Sequence, residues 1–296
     1  MHDHSQCDHH KPANYNTAFA VGVSLNAIFV VLEISYGIAT RSLSLLADAG
    51  HNVGDVLGLL MGWGAAFLAT RPPTTRRTYG YRRSSILAAL ANSSLLLVAV
   101  GAIAWEAVQR LSEPVPVPGS IVMAIAGVGI VVNGGTALMF VRGRKDDLNI
   151  EGAYLHMLMD AIVAGGVVLA GLAMNLTHAA WIDPISSLAI VALIAMGSWK
   201  LLRRSFDLAI DAVPDAVDPT AVRAYLETRA GVQAVADLHI WGMSTTEIAL
   251  TAHLVMPAGC NDDFVANLSH ELIHEFGISH STIQIDRDHS GCTLSV

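Results

Sequence analysis

Six long apolar segments occupy about the first two thirds of the chain, and short polar connections separate them. Each segment has roughly the 20 residues that an α-helix needs to cross a hydrocarbon core of ~30 Å. The pattern therefore predicts six membrane spans, which together make a membrane domain at 16–210. The spans lie at roughly 16–39, 46–69, 85–110, 119–142, 150–175 and 181–205.

The pattern changes after about residue 210. The stretches "DPTAVRAYLETRAG" and "NDDFVANLSHELIHEFG" place apolar residues on one helical face, and the second has an acidic first turn. The stretches "VQAVADLHIWGM", "EIALTAHLVMP" and "SHSTIQIDRD" alternate apolar and polar positions, as half-buried strands do. The order helix, strand, strand, helix, strand predicts a small α+β domain at 211–296, with helices on one face of a sheet.

Composition and charge support a membrane protein. Hydrophobic residues make up 53% of the chain and charged residues 14%, and the mean hydropathy is +0.49. Of the seventeen Lys and Arg residues, eleven follow the second, fourth and sixth spans. By the positive-inside rule, both termini are expected in the cytoplasm. Three scattered cysteines make no disulfide framework, and neither ATP nor nucleic acid is an expected partner.

Two of the spans carry ionisable residues in the same arrangement. His51 and Asp55 stand four residues apart in the second span, and His156 and Asp160 repeat this spacing in the fifth. Each pair shares one helical face, and such residues inside spans are functional candidates. Two imidazoles and two carboxylates suit Zn²⁺, whose charge the carboxylates neutralise. Each pair could instead hold helices together by His–Asp bonds, but the duplicated spacing favours a metal site.

Longer motifs surround these residues: "SLSLLADAGHNVGD" at the second span, "YGYRRSSILAALAN" at the third and "NIEGAYLHMLMDAIV" at the fifth. With six spans and an α+β tail, the chain resembles the cation diffusion facilitator family, close to its bacterial zinc, cadmium and cobalt exporters. The resemblance implies a homodimer in the bacterial inner membrane, with one transport site per protomer at His51, Asp55, His156 and Asp160. It also implies export of the ion from the cytoplasm in exchange for protons, and a cytoplasmic ferredoxin-like domain that binds metal and pairs the protomers.

Selectivity among metals is expected to depend on His51. A His at this position resembles the zinc-preferring pattern of the family, whereas Asp there is associated with acceptance of Cd²⁺ and Asn with manganese transport. A second imidazole also favours Zn²⁺ over Mn²⁺ or Mg²⁺. The predicted function is therefore proton-coupled Zn²⁺ export by a transporter that is not an enzyme, with a broader Cd²⁺/Co²⁺/Zn²⁺ exporter as the alternative.

A different class remains as a competing interpretation: a membrane metal sensor or a metallo-hydrolase that uses the same four ligands. A catalytic zinc keeps an open position for water and a nearby general base. Four protein ligands close the shell, which argues against hydrolysis.

The C-terminal domain contains a second candidate site. His239, His253 and Asp286 match positions at which the cytoplasmic domain of the family binds metal. Some members carry a further His where this chain has Gln284, so the resemblance implies one Zn²⁺ per protomer rather than a bridged pair. Both histidines could also be half-buried strand residues without a metal.

Arg83 resembles a basic residue that pairs, in some relatives, with an acid at the base of the sixth span, here Asp211. Such a pair would couple movements of the domain and the membrane helices, although an exposed pair contributes under about 1 kcal/mol. The loop before Arg83 lacks the His or Asp of several relatives, and we expect no metal there.

The first fifteen residues form a His- and Cys-rich tail that is expected in the cytoplasm, like the end of the chain. A terminal capture site could draw on His4, Cys7, His9, His10, His289 and Cys292. Flexible tails of this composition collect metal even without a defined site.

Other polar residues receive simpler interpretations. Asn26, Asn92 and Asn133 are expected to bond across helices or to line a cavity, whereas Glu33 is harder to explain as purely structural. His270, His274 and His280 are predicted at the surface, where the first two share a helical face and could bind metal weakly.

Overall fold

The computed structural model describes residues 16–141 and 148–288. Six of its helices are long and apolar enough to cross a membrane, which confirms the predicted number of spans, and each observed end lies within about one helical turn of the predicted one. These helices are α1 (Asn16–Thr40), α2 (Leu43–Ala69), α3 (Ser84–Ser112), α4 (Gly119–Phe140), α5 (Leu148–Thr177) and α6 (Ile182–Ala209).

Proline marks several of the helix boundaries. Two prolines follow α2, and three more separate α3 from α4. Pro184 lies in the first turn of α6, where the N–H that proline lacks would have no helical partner. At these boundaries, proline interrupts the backbone hydrogen bonding that would otherwise continue the helix.

A side chain of α6 holds the start of α2. The buried carboxyl group of Asp183 accepts hydrogen bonds from the backbone N–H groups of Leu43 at 2.7 Å and Ser44 at 3.3 Å. It also accepts bonds from the hydroxyls of Ser42 and Ser44, both at 2.7 Å. These N–H groups have no partner within their own helix, so Asp183 caps α2 from another helix.

Packing divides the chain into two compact units, Met1–Val56 with Leu96–Met196 and Leu57–Leu95 with Gly197–Val296. In the first unit, the backbones of α4 and α5 lie very close together at Gly119 and Gly171. A Cβ atom on Gly119 would collide with the backbone carbonyl of Gly171. Small residues permit this approach between membrane helices. The apolar core of the first unit includes Leu45, Val100, Val122, Ala126 and Val167.

The second unit contains the C-terminal α+β domain, whose element order is the predicted one. Its elements are α7 (Pro219–Glu227), β1 (Ala234–Gly242), β2 (Ile248–Val255), α8 (Asp262–Phe276) and β3 (Ile278–Asp286). The strands form one sheet in the order β1-β2-β3, in which β1 and β2 are antiparallel and β2 and β3 are parallel.

Alternation along the strands gives the sheet two different faces. Leu250 and Leu254 of β2 pack in a core with Leu226 of α7 and Leu272 of α8. His253 lies between such positions and therefore points to the other face. Side-chain caps fix the helix ends: Asp218 accepts from the Thr220 N–H at 2.8 Å, and Asn261 accepts from the Phe264 N–H at 3.0 Å.

Candidate functional site

The structure brings together the two His–Asp pairs predicted in α2 and α5. His51 Nε2 lies 3.3 Å from Asp160 Oδ1 and 3.7 Å from Asp55 Oδ2. His156 Nε2 lies 3.3 Å from Asp55 Oδ2 and 3.6 Å from Asp160 Oδ2. Each histidine therefore contacts the aspartate of the other helix as well as that of its own helix.

Several atoms of this cluster are buried without hydrogen bonds of normal geometry, although the imidazoles are within ion-pair distance. They are His51 Nδ1, Asp55 Oδ2 and Asp160 Oδ2. Buried polar atoms usually have partners, and an exception often marks a ligand position. Asp160 is the most enclosed of the four, with 3% of its side chain exposed, and His156 is the least, with 40%.

Distances between the ligand atoms fit a small coordination shell. Bonds of about 2.0–2.1 Å place neighbouring ligand atoms of a tetrahedral zinc ion roughly 3.3 Å apart. The four His–Asp distances, from 3.3 to 3.7 Å, are close to that separation, although Asp160 faces His51 with Oδ1 and His156 with Oδ2. Among residues 16–141 and 148–288, the group of His51, Asp55 and Asp160 is the one whose ligand atoms all lie within 4.8 Å of one another.

An acidic pair lies in the same unit as this cluster. Glu33 of α1 and Asp48 of α2 have exposed fractions of 0% and 2%, and their carboxyl groups are within hydrogen-bonding range of each other. Asn52 Nδ2 donates to Glu33 Oε2 at 3.1 Å. Sequence reasoning singles out Glu33 but misses Asp48, whose signal is an acid within the apolar run "SLLADAG".

Three asparagines of the spans differ in their surroundings. Asn26 and Asn133 are buried, and their amide oxygens accept no hydrogen bond. Asn92 lines a cavity of about 630 Å³ in the second unit, together with Gly58, Arg82 and other residues of α2, α3 and the loop before β2.

The three candidate residues of the C-terminal domain form two separate contacts. His239 Nε2 lies 3.1 Å from Asp237 Oδ1, and His253 Nδ1 lies 3.5 Å from Asp286 Oδ2. Gln284 Nε2 donates to Asp286 Oδ1 at 2.8 Å. Within the described ranges, the predicted three do not converge to the distances seen in the membrane cluster. Asp237 is a neighbouring carboxylate that sequence reasoning misses, although it pairs with His253 across the sheet.

The predicted pair of Arg83 and Asp211 is in contact through Arg83 Nη2 and Asp211 Oδ1, and both side chains are about half exposed. A second ion pair lies next to it in sequence: Arg82 Nη1 is 2.8 Å from Glu247 Oε2 in the loop before β2. The two residues that precede α3 thus make two ionic contacts within the second unit.

The other histidines and cysteines that the sequence singles out as possible metal ligands or surface residues divide into two groups. His270 and His274 are exposed on α8, with their Nε2 atoms 3.3 Å apart, and His280 packs edge-on against the ring of Tyr79. The candidates for a terminal capture site, His4, Cys7, His9, His10, His289 and Cys292, lie outside the described residues.

Six apolar helices, a partly buried cluster of two histidines and two aspartates between two of them, and a small α+β domain define a multi-pass membrane protein with a candidate site for a metal ion. The chain matches the family model of the cation efflux transmembrane domain over residues 19–208. It also matches the model of the cation efflux protein cytoplasmic domain over residues 214–288. The chain therefore belongs to the cation diffusion facilitator family, and it is a transporter for divalent metal cation efflux rather than an enzyme.

Three curated relatives illustrate the similarity. The metal cation efflux system protein CzcD of Cupriavidus metallidurans is 31% identical over 280 residues, which cover 94% of this chain and 89% of the relative. The cadmium, cobalt and zinc/H(+)-K(+) antiporter of Bacillus subtilis is 31% identical over 266 residues, 88% of this chain and 85% of the relative. The zinc transporter ZitB of Escherichia coli is 33% identical over 291 residues, which cover 96% of this chain and 92% of the relative. The short name of the cytoplasmic-domain model, ZT_dimer, supports homodimer formation.

Proposed function

We propose that this protein exports Zn²⁺ from the cytoplasm in exchange for protons, and that His51, Asp55, His156 and Asp160 form the transport site. The observation that carries the proposal is the set of four His–Asp distances between 3.3 and 3.7 Å, made by residues of two different helices. His51, Asp55 and Asp160 already offer ligand atoms within 4.8 Å of one another, and His156 would join them as the fourth ligand of one ion by a shift of its side chain. The two carboxylates supply the negative charge that a divalent ion needs inside a membrane.

Proton exchange is supported by the chemistry of the ligands. Zn²⁺ binds to deprotonated nitrogen and oxygen atoms, so loading the site releases protons and acidification expels the metal. The buried cluster atoms without hydrogen bonds of normal geometry, such as Asp55 Oδ2 and Asp160 Oδ2, are able to bind either a proton or Zn²⁺. Alternating access then requires α2 and α5 to change their positions relative to the other helices.

The choice of zinc depends on the ligand types. Two imidazoles favour Zn²⁺ over the harder ions Mn²⁺ and Mg²⁺, and a related protein is named a zinc transporter. Another relative is named for cadmium, cobalt and zinc, so a broader specificity is the alternative. Competition among Zn²⁺, Cd²⁺, Co²⁺ and Mn²⁺ in reconstituted vesicles at fixed pH distinguishes the two.

We further propose a location in the bacterial inner membrane, with both termini in the cytoplasm, because the basic residues follow the even-numbered spans. The proposed domains are the tail 1–15, the membrane domain 16–210 and the cytoplasmic domain 211–296. His239, His253 and Asp286 lie on or beside the sheet face opposite the helices, and we propose that one structural or regulatory ion per protomer would bind there by drawing them together. The His and Cys residues near the termini would capture metal weakly.

Zinc uptake into proteoliposomes under an imposed pH difference tests the transport site. We expect His51→Ala and Asp160→Asn to reduce uptake by more than the ~10–100-fold that loss of an outer-shell partner costs. His178→Ala is the matched control, because His178 is exposed in the turn between α5 and α6. Uptake by the Asp160 variant at the rate of the control would exclude this site.

The sensor and hydrolase alternatives give a different result in the same preparation. A metal sensor would bind Zn²⁺ tightly while no ion crossed the vesicle membrane with or without a pH difference. A hydrolase would also lack transport, and it would need a water ligand that a four-residue shell excludes. Zinc movement that disappears without the pH difference supports the exporter.

A further inference from the structure

We propose that Glu33 and Asp48 form a proton-binding site that is distinct from the four metal ligands and that releases its proton when the metal loads. This inference rests on the proposed proton-coupled function. It assigns part of the proton exchange to a carboxyl pair that does not bind the metal. The pair is defined here as the acidic pair, Glu33 and Asp48.

Burial is the first argument for the site. Both side chains are almost completely enclosed by the helices of the first unit. Within the described residues, no Lys, Arg or His forms an ion pair with either carboxyl group, and neither makes a hydrogen bond with a proposed metal ligand. Two buried carboxylates without a positive partner would be very costly in free energy. At least one of the two carboxyl groups therefore has to carry a proton.

Contact between the two carboxyl groups indicates how this happens. They are within hydrogen-bonding range of each other, and adjacent carboxylates repel unless a proton lies between them. The Asn52 amide already serves Glu33 Oε2, whereas no donor reaches the buried Glu33 Oε1. A single shared proton removes the repulsion and supplies the missing hydrogen bond.

Coulomb interactions link the acidic pair to the transport site. Asp48 lies three residues before His51 and seven before Asp55, so the three side chains share one face of α2. A divalent ion in the site reverses the local charge and repels the proton, because charges of one sign interact strongly in a medium of low dielectric constant. Metal loading and proton release are thereby coupled without a shared ligand.

Calorimetry of Zn²⁺ binding to the purified full-length protein in detergent tests the proposal. Titrations in buffers of different ionisation enthalpy count the protons released per Zn²⁺. In Glu33→Gln the amide can still donate to Asp48 but has no proton to lose. We expect the count to fall by about one, and the slope of log K against pH to fall by the same amount, while Zn²⁺ still binds. Asp48→Asn should act alike.

Ser187→Ala is the matched control, since Ser187 is fully buried with an unpartnered hydroxyl but does not titrate in this range. Equal proton counts in wild type and in both acidic-pair variants would overturn the inference, as would a change that depends on K⁺ rather than on pH. Infrared difference spectra of the wild type add a test without mutation: Zn²⁺ must remove the carbonyl band of a protonated carboxyl group, and absence of this loss refutes the proposal. Failure of the wild type to release any proton would instead contradict the proposed function itself.

Discussion

Replacement of Asp183 by alanine should detach the start of α2 from α6. Four donors lose their acceptor: the N–H groups of Leu43 and Ser44 and the hydroxyls of Ser42 and Ser44. The two hydroxyl oxygens are 3.0 Å apart and can bond to each other. The two backbone N–H groups have no such substitute, and each buried donor without a partner costs about 1–3 kcal/mol.

We therefore expect Asp183→Ala to lower the free energy of unfolding by roughly 2–6 kcal/mol. Asp183→Asn keeps one acceptor oxygen, so only the bond to one backbone N–H is lost and the expected decrease is about 1–3 kcal/mol. Urea unfolding in mild detergent, followed by tryptophan fluorescence, measures both values. Asp207→Asn on the same helix is the control, because its carboxyl group, unlike that of Asp183, caps no helix among the described residues.

The reasoning requires the order alanine, asparagine, wild type in increasing stability. If Asp183→Ala unfolded within about 1 kcal/mol of the wild type, the buried donors would have found other partners, and the role of Asp183 as a cap would be refuted.

Three further substitutions test other contacts. Gly171→Ala should destabilise the protein by about 1–3 kcal/mol, because the new methyl group would meet the backbone of Gly119; equal thermal stability would show that α4 and α5 can separate at no cost. Asn261→Ala removes the cap of α8 and should cost about 0.5–2 kcal/mol, measured by urea unfolding, with no change contradicting the capping role. Exchanging the charges of Arg82 and Glu247 should leave stability within about 1 kcal/mol of wild type, because the pair is exposed, and either single reversal should be worse than the exchange in the same assay.

Local patterns in the sequence are sufficient for the helices and for the pairing within each helix. Apolar runs separated by polar connections define the spans, and the i, i+4 spacing places His51 next to Asp55 and His156 next to Asp160. That the two pairs meet follows from their duplication together with the size of a metal shell. Their convergence is a tertiary outcome, seen in the two interhelical distances of 3.3 Å, from His51 to Asp160 and from His156 to Asp55.

The acidic pair depends on more than local pattern. Helix α1 is apolar on nearly all sides, so no periodicity indicates which face carries Glu33 towards Asp48. The sheet presents a similar limit, because an irregular register between Val235 and Asp237 determines which residue stands opposite His253. Rotation of a uniformly apolar helix and a bulge in a strand are both tertiary outcomes.

The cap formed by Asp183 fixes the N-terminal end of α2, so a tilt of this helix would pivot about that end. At 1.5 Å per residue, His51 lies about 12 Å from Leu43 and Ala69 about 39 Å from it. A tilt of about 5° around the tied end would move His51 by ~1 Å and Ala69 by more than ~3 Å. Metal–ligand distances tolerate only about 0.2 Å, so a rotation too small to break the packing of the helix is large enough to open a coordination shell. The Asp183 anchor would thereby allow a wide swing at the far end of α2 to switch metal affinity at its near end.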